Sequence, residues 1–178
     1  MHALSRHFYC ALIVLLLSGC HSEVGPEDVS NVSVTFVEPE KFTDVRRTEW
    51  EHNSPTLLAA LAKFMQDTGE RTLPPDMTLF IKVTDVKLAG DFEPWLGPPF
   101  NQTRIIKSVY PPQITLEFEL VDNTGKIVKS GKRNLTDIDY QLRSVYPRDD
   151  YLRYEKDILR DWLRGKFGGV RTEQSAPR

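Results

Sequence analysis

Apolar and polar positions alternate through most of the chain. Val32, Val34 and Phe36 share one face of an extended segment and Ser33 and Thr35 the other, which predicts a strand over 31–37. Glu38-Pro39 ends it, and a polar, acidic connection runs to Asn53. The period then changes. After Ser54-Pro55, a capping residue and a proline that loses no hydrogen bond in a first turn, Leu57, Leu58, Leu61, Phe64 and Met65 recur at helical spacing. Gly69 is the expected stop of this helix. Period two returns at Met77, Leu79, Ile81 and Val83, extending toward Leu88, and again from Ile114 to Leu120. Asp122-Asn123-Thr124-Gly125 is hairpin chemistry, because Asn and Gly tolerate positive φ, and a return strand follows from Lys126 to about Leu135. A short extra strand is marked around 105–109. The last helix is predicted from Asp149 to Phe167, with Leu152, Ile158, Leu159, Trp162 and Leu163 on one stripe. Asp149 and Asp150 suit its start and Arg160, Arg164 and Lys166 its end. Asp149/Arg153, Arg153/Asp157 and Asp157/Arg160 are spaced as surface ion pairs.

The order is βαβββα. Two amphipathic helices need one apolar sheet face to cover, so the expected class is α+β: a two-layer sandwich with a mostly antiparallel sheet of about four strands and both helices on one face.

The start of the chain does not fit this pattern. Phe8 to Leu17 is an apolar run too short to span a membrane and right for a secretory signal, with Arg6, His2 and His7 before it. Leu17-Ser18-Gly19-Cys20 resembles the lipobox of bacterial lipoproteins. That resemblance implies cleavage before Cys20, diacylglycerol on its sulfur and acylation of the new amine. His21 follows it; inner-membrane retention resembles a rule that wants Asp there, so an outer-membrane anchor facing the periplasm is expected. The resulting division is a signal peptide over 1–19, a lipidated tether over 20–30, one α+β domain over 31–167 and a disordered tail over 168–178.

Composition narrows the chemistry. The 178 residues carry a net charge of −2, which gives no overall basic field and excludes nucleic acid as a first choice of partner. The charge is uneven: eight acids against three bases from His21 to Thr56, and thirteen bases against eight acids from Lys126 to Arg178. The basic end suits anionic lipid, lipopolysaccharide or an acidic protein, or is a solvated helix face. Of two cysteines, Cys10 lies in the signal and Cys20 carries the lipid, so no disulfide or catalytic thiol is expected. His21 and His52 are the only histidines after the signal, too few for a zinc site, and Ser-His-Asp catalysis would have to use His52. No cofactor is expected, and no phosphate-binding or nucleophile-elbow motif occurs.

Three groups of residues are candidates for function. Phe92, Trp95 and Phe100 sit among glycines and prolines between 90 and 100. They either fold back to seal an open end of the core or stand out as a partner contact on a stiff loop. Asp137 and Asp139 are two apart and, with Asp85 and Asp91, are either a carboxylate cluster for Ca²⁺ or acid–base work, or ordinary turn and edge charges. Tyr110, Tyr140, Tyr146, Tyr151 and Tyr154 fit half-wet positions around a sheet rim.

The run Val32-Ser33-Val34-Thr35-Phe36 with Glu38-Pro39 and Phe42-Thr43-Asp44 resembles the opening of a bacterial lipoprotein family known as domain of unknown function 3016. Val83-Thr84-Asp85-Val86-Lys87-Leu88-Ala89-Gly90, Glu93-Pro94-Trp95 and Val109-Tyr110-Pro111-Pro112 are similar to it too. So are Leu120-Val121-Asp122 with Gly125, Leu135-Thr136-Asp137 before Tyr140, and Leu152-Arg153-Tyr154-Glu155-Lys156 before Trp162. The likeness covers nearly the whole domain and implies no activity. The expected function is a non-catalytic binding or scaffolding module of the cell envelope, not an enzyme, attached to the membrane through Cys20 and meeting an envelope protein or lipopolysaccharide. The alternative is an envelope hydrolase or small-ligand binder built on a carboxylate and tyrosine cleft.

Overall fold

The computed structural model describes residues 30–44, 54–98, 103–144 and 147–167. The signal segment, Cys20, the tether as far as residue 29, His52, Phe100, Tyr146 and the tail lie outside the described residues. The elements are β1 (Val32–Phe36), α1 (Ser54–Glu70), β2 (Met77–Lys87), β3 (Asp91–Phe92), β4 (Arg104–Ile105), β5 (Gln113–Asp122), β6 (Ile127–Thr136) and α2 (Arg153–Phe167).

The class is α+β, with a mixed four-stranded sheet in the order β1-β2-β5-β6. β2, β5 and β6 pair antiparallel, but β1 runs parallel to β2, Val32 opposite Leu79 and Phe36 opposite Val83. A parallel neighbour needs a long return connection, which α1 supplies. β3 and β4 form a separate two-stranded ribbon inside the β2–β5 connection.

Leu79, Ile81 and Val83 of β2 and Ile114, Leu116, Phe118 and Leu120 of β5 form the sheet side of the core. Leu57, Leu58, Leu61 and Met65 of α1 and Ile158, Leu159, Trp162 and Leu163 of α2 cover them. Phe118 packs edge-on against Trp162 and Phe167, with ring centroids 5.6 and 5.7 Å apart. The other face carries exposed Ser33, Thr35, Phe80, Lys82, Glu117 and Glu119.

Three details differ from the pattern. A bulge between Val83 and Asp85 shifts the phase of β2. Inward residues are odd-numbered before it and even-numbered after it, so Val86 and Leu88 are buried while Asp85 turns outward to accept from Thr43 N–H and Oγ1 at 2.7 and 2.8 Å. α1 ends at Glu70, one residue past Gly69, and Gly69 itself is the last helical residue but one and lies against β1. A Cβ there would sit 2.6 Å from Cγ2 of Val32, so this position permits close approach of helix and strand. In α2, helical geometry begins at Arg153, not Asp149, and Asp150 precedes it, accepting Leu152 N–H at 2.9 Å and pairing Lys156 at 2.7 Å. Asp157/Arg160 forms at 2.7 Å, but Arg153 donates instead to the Asp150 carbonyl and lies over the Tyr154 ring.

The hairpin closes as its residues require. Asp122 Oδ1 accepts Thr124 N–H, Thr124 Oγ1 and Lys126 N–H at 2.6–3.0 Å, which holds its carboxyl below the ordinary value, and Gly125 alone in the turn takes positive φ, at 83°.

The register defines two poles. Lys87, Gln113 and Thr136 stand at one end of the sheet, where α2 also begins. The start of β1, the Asp122–Lys126 hairpin and the end of α2 lie at the other.

Candidate functional site

The β2–β5 connection, at the first pole, begins where the sheet ladder ends. Its backbone N–H groups need other acceptors, and buried side chains supply them. Asp44, 2% exposed, accepts Leu88 N–H at 2.8 Å. Glu155, on the first turn of α2, accepts Ala89 N–H at 2.6 Å. Gly90 donates to the Tyr110 carbonyl at 2.9 Å and has φ +82°. A Cβ at Gly90 would lie 2.7 Å from both the Ile105 carbonyl oxygen and Ile106 Cδ1, so glycine is required by backbone and by space.

Arg104 crosses beneath this turn. Its Nη1 donates to the Gly90 carbonyl at 2.8 Å and meets Asp44 at 3.4 Å, and its guanidinium lies 5.0 Å from the Phe92 ring centroid. Further out, Glu93 is buried and receives Lys107 Nζ at 2.6 and 2.8 Å and Tyr110 OH at 2.9 Å. The Lys107 bond holds the Glu93 carboxyl below its ordinary range, and the anion in turn raises the Tyr110 phenol.

Directly on this buried carboxylate sits a single 3₁₀ turn, Pro94–Leu96, closed by Leu96 N–H to the Glu93 carbonyl at 3.0 Å. Trp95 is 70% exposed and Leu96 47%. Trp95 therefore does not seal the core. Phe92 is half-buried under Arg104 and has a positioning contact instead. A second loop braces the first: Tyr140 OH donates to the Lys107 carbonyl at 2.8 Å and Gln141 Nε2 to the Ile106 carbonyl at 3.1 Å. Tyr140 is 1% exposed rather than half-wet, sits edge-on to Tyr154 at 4.8 Å, and burial pushes its phenol up to about 12.

The carboxylates do not converge. Asp85 serves Thr43, Asp137 pairs Arg143 Nε at 2.6 Å, and Asp139 donates its own N–H to Asp137 at 3.0 Å from the turn after β6. Among the described residues no group of His, Cys, Asp and Glu is arranged to hold a metal ion. Glu155 is the exceptional carboxyl: it is 1% exposed, its Oε2 has no partner, and burial pushes it up to about 7, with Arg104 and Arg153 pulling the other way. Its position was open to sequence reasoning, since it falls on the same helical stripe as Leu152, Ile158 and Leu159. Asp44, Arg104 and Lys107 carried no such local signal.

The family described as a protein of unknown function, DUF3016, matches residues 30–165. The chain belongs to this family. No curated protein and no solved structure matches the chain. The DUF3016 match spans the complete loop network from Asp44 to Glu155. Among the described residues, no helix of this DUF3016 domain is long and apolar enough to cross a membrane.

Proposed function

We propose that the protein is a lipid-anchored, non-catalytic binding module of the bacterial envelope. Cys20 tethers it to the outer membrane facing the periplasm, and the Trp95–Leu96 tip meets a protein partner there. The observation that carries this reading is the 70% exposure of Trp95 on a loop held by buried charged groups. A large aromatic presented on a preorganised turn loses little freedom on binding, and Trp is enriched among residues that dominate interfaces. Polarity of the fold supports the same reading. The chain enters β1 at the pole opposite the tip, and the ten residues of β5 separate the poles by roughly 33 Å. A tether over 20–30 reaches at most ~35 Å and joins the domain at the pole opposite the tip, an arrangement that leaves the tip free to meet a partner away from the bilayer.

The test is a photo-crosslinking residue placed in cells at Trp95 or Leu96, with Lys82 on the wet sheet face as control. A discrete protein adduct from the tip and none from Lys82 is expected, with Trp95→Ala keeping its melting temperature while abolishing the adduct formed from Leu96. Equal labelling from both surfaces, or a Trp95→Ala chain that retains the partner, removes the tip from the function. The anchor is tested separately: Cys20→Ser moves the protein from the membrane to the soluble fraction, and a Cys20→Ser chain that stays with the membrane overturns lipidation.

A further inference from the structure

β6 is an edge strand of ten residues, paired on one side only, with β5. Among the described residues no strand takes the N–H and C=O groups along its outer side, although Arg133 Nη1 donates to the Lys132 carbonyl. On the helix side, a groove of about 480 Å³ separates this strand from α2. Leu135, Ile158 and Trp162 are its apolar lining, and Trp162, 6% exposed, has a buried indole N–H with no acceptor among the described residues.

Charge on this strand is unusual. Lys129 and Arg133 lie opposite Leu120 and Leu116, so they occupy the helix-side face where a covered strand would be apolar. Lys129 donates to the Lys166 carbonyl at 3.0 Å and lies 5.5 Å from the Phe167 ring. Arg133 donates to the Lys132 carbonyl at 2.7 Å and lies 5.5 Å from the Phe118 ring. Both cations are satisfied by carbonyls and ring faces, whereas nearby Arg143 is held by Asp137, Asp157 and Asp161. Inward-facing cations on an edge deter indiscriminate strand pairing, and the same charges select a strand that brings carboxylates.

We propose that β6 and the groove beside α2 form a docking site for an extended, acidic segment of a partner protein, which joins the sheet as a fifth strand. Main-chain hydrogen bonds to the free edge supply affinity, and carboxylates opposite Lys129 and Arg133 supply selectivity. A second copy paired edge to edge would bring its own Lys129, Lys132 and Arg133 alongside these cations, which disfavours it. This surface is separate from the Trp95 tip and stands whether or not the tip contacts a partner.

The experiment uses the full-length chain, ¹⁵N-labelled, and blocked synthetic peptides of about eight residues. One alternates Glu and Val, one alternates Lys and Val, and two further Glu peptides carry N-methyl groups on one or the other set of alternate residues. The Glu peptide is expected to shift β6 amides and the Trp162 indole N–H. The Lys peptide is expected to bind at least about tenfold more weakly, and a Lys129→Gln/Arg133→Gln chain of unchanged melting temperature to lose about tenfold for the Glu peptide. One N-methylated peptide should fail to bind and the other should bind normally, because only one peptide edge pairs. Perturbation away from β6 and α2, equal affinity for the Lys peptide, equal behaviour of the two methylated peptides, or a dimer with β6 at its interface each overturns the proposal.

Discussion

Replacing Glu155 with Gln isolates a buried charge at the base of the candidate contact loop. Glu155 is 1% exposed, and burial raises its carboxyl from an ordinary 4.5 to about 7. Between those values the folded chain holds a proton that the unfolded chain has released. The slope of stability against pH follows the difference in bound protons, so stability falls as pH rises through this window. Because the unfolded chain is already half deprotonated at pH 4.5, the rise from 4.5 to about 7 gives a loss of about 3 kcal/mol between pH 4.5 and pH 8. Gln keeps an oxygen for Ala89 N–H, bonded at 2.6 Å in the parent, and does not titrate. Urea unfolding of both chains, followed by tryptophan fluorescence at several pH values, gives the two stability curves. The variant should gain on the parent by about 3 kcal/mol from the acid end of the range to the alkaline end, whatever constant offset the substitution adds. Taking the difference cancels every titrating group that the two chains share. Parallel curves, or a parent that gains on the variant as pH rises, would refute the assignment of a desolvated carboxyl to this position.

Two further substitutions test packing that the fold depends on. Gly69→Ala removes a glycine from the last turn of α1, worth up to about 1 kcal/mol to a helix, but drives a methyl to 2.6 Å from Val32 Cγ2. Overpacking of this kind costs about 1–3 kcal/mol, so a net loss of about 1 kcal/mol is expected in the parent, reversing to a gain of up to about 1 kcal/mol in a Val32→Ala background; the same sign in both backgrounds, from chemical denaturation, contradicts the close approach. Gly90→Ala meets both a φ of +82° and the Ile105 carbonyl at 2.7 Å, and should destabilise by about 2–4 kcal/mol, with hydrogen exchange in 88–110 accelerated more than in β5; uniform acceleration would mean that the loop has no separate stability.

The elements were legible because their periods were clean. Leu57 to Met65 and Ile114 to Leu120 announce a helix and a strand without tertiary knowledge, and Asp122 to Gly125 announces the turn between two paired strands. The pairing of β1 was not legible: alternation at Val32, Val34 and Phe36 reads the same whether the neighbour is parallel or antiparallel. Neither was the bulge before Asp85, since one inserted residue leaves period two intact on each side of it. The prominence of 90–100 could be read from its glycines, prolines and aromatics, but not which ring stays outside. Phe92 and Trp95 are three residues apart; what separates their fates is Arg104, which lies over the first.

The loop network explains why this connection holds charges where a core would hold leucines. Leu88, Ala89 and Gly90 are buried, so their backbone N–H groups lie away from water and beyond the sheet ladder. An apolar residue at Asp44 or Glu155 would leave Leu88 or Ala89 N–H without an acceptor, at a cost of about 1–3 kcal/mol each. A buried carboxylate needs a cation in turn, which Arg104 provides to Asp44 at 3.4 Å and Lys107 to Glu93 at 2.6 Å. Each partner comes from a different part of the chain: the segment after β1, the far arm of the β3–β4 ribbon, and the first turn of α2. Losing one of them unsettles the turn beneath Trp95 and withdraws stability from the fold as well, since Leu88, held by Asp44, belongs to the core. Presentation of the tip is thus tied to the buried polar groups beneath it, the arrangement expected of a surface that must be held still without being buried.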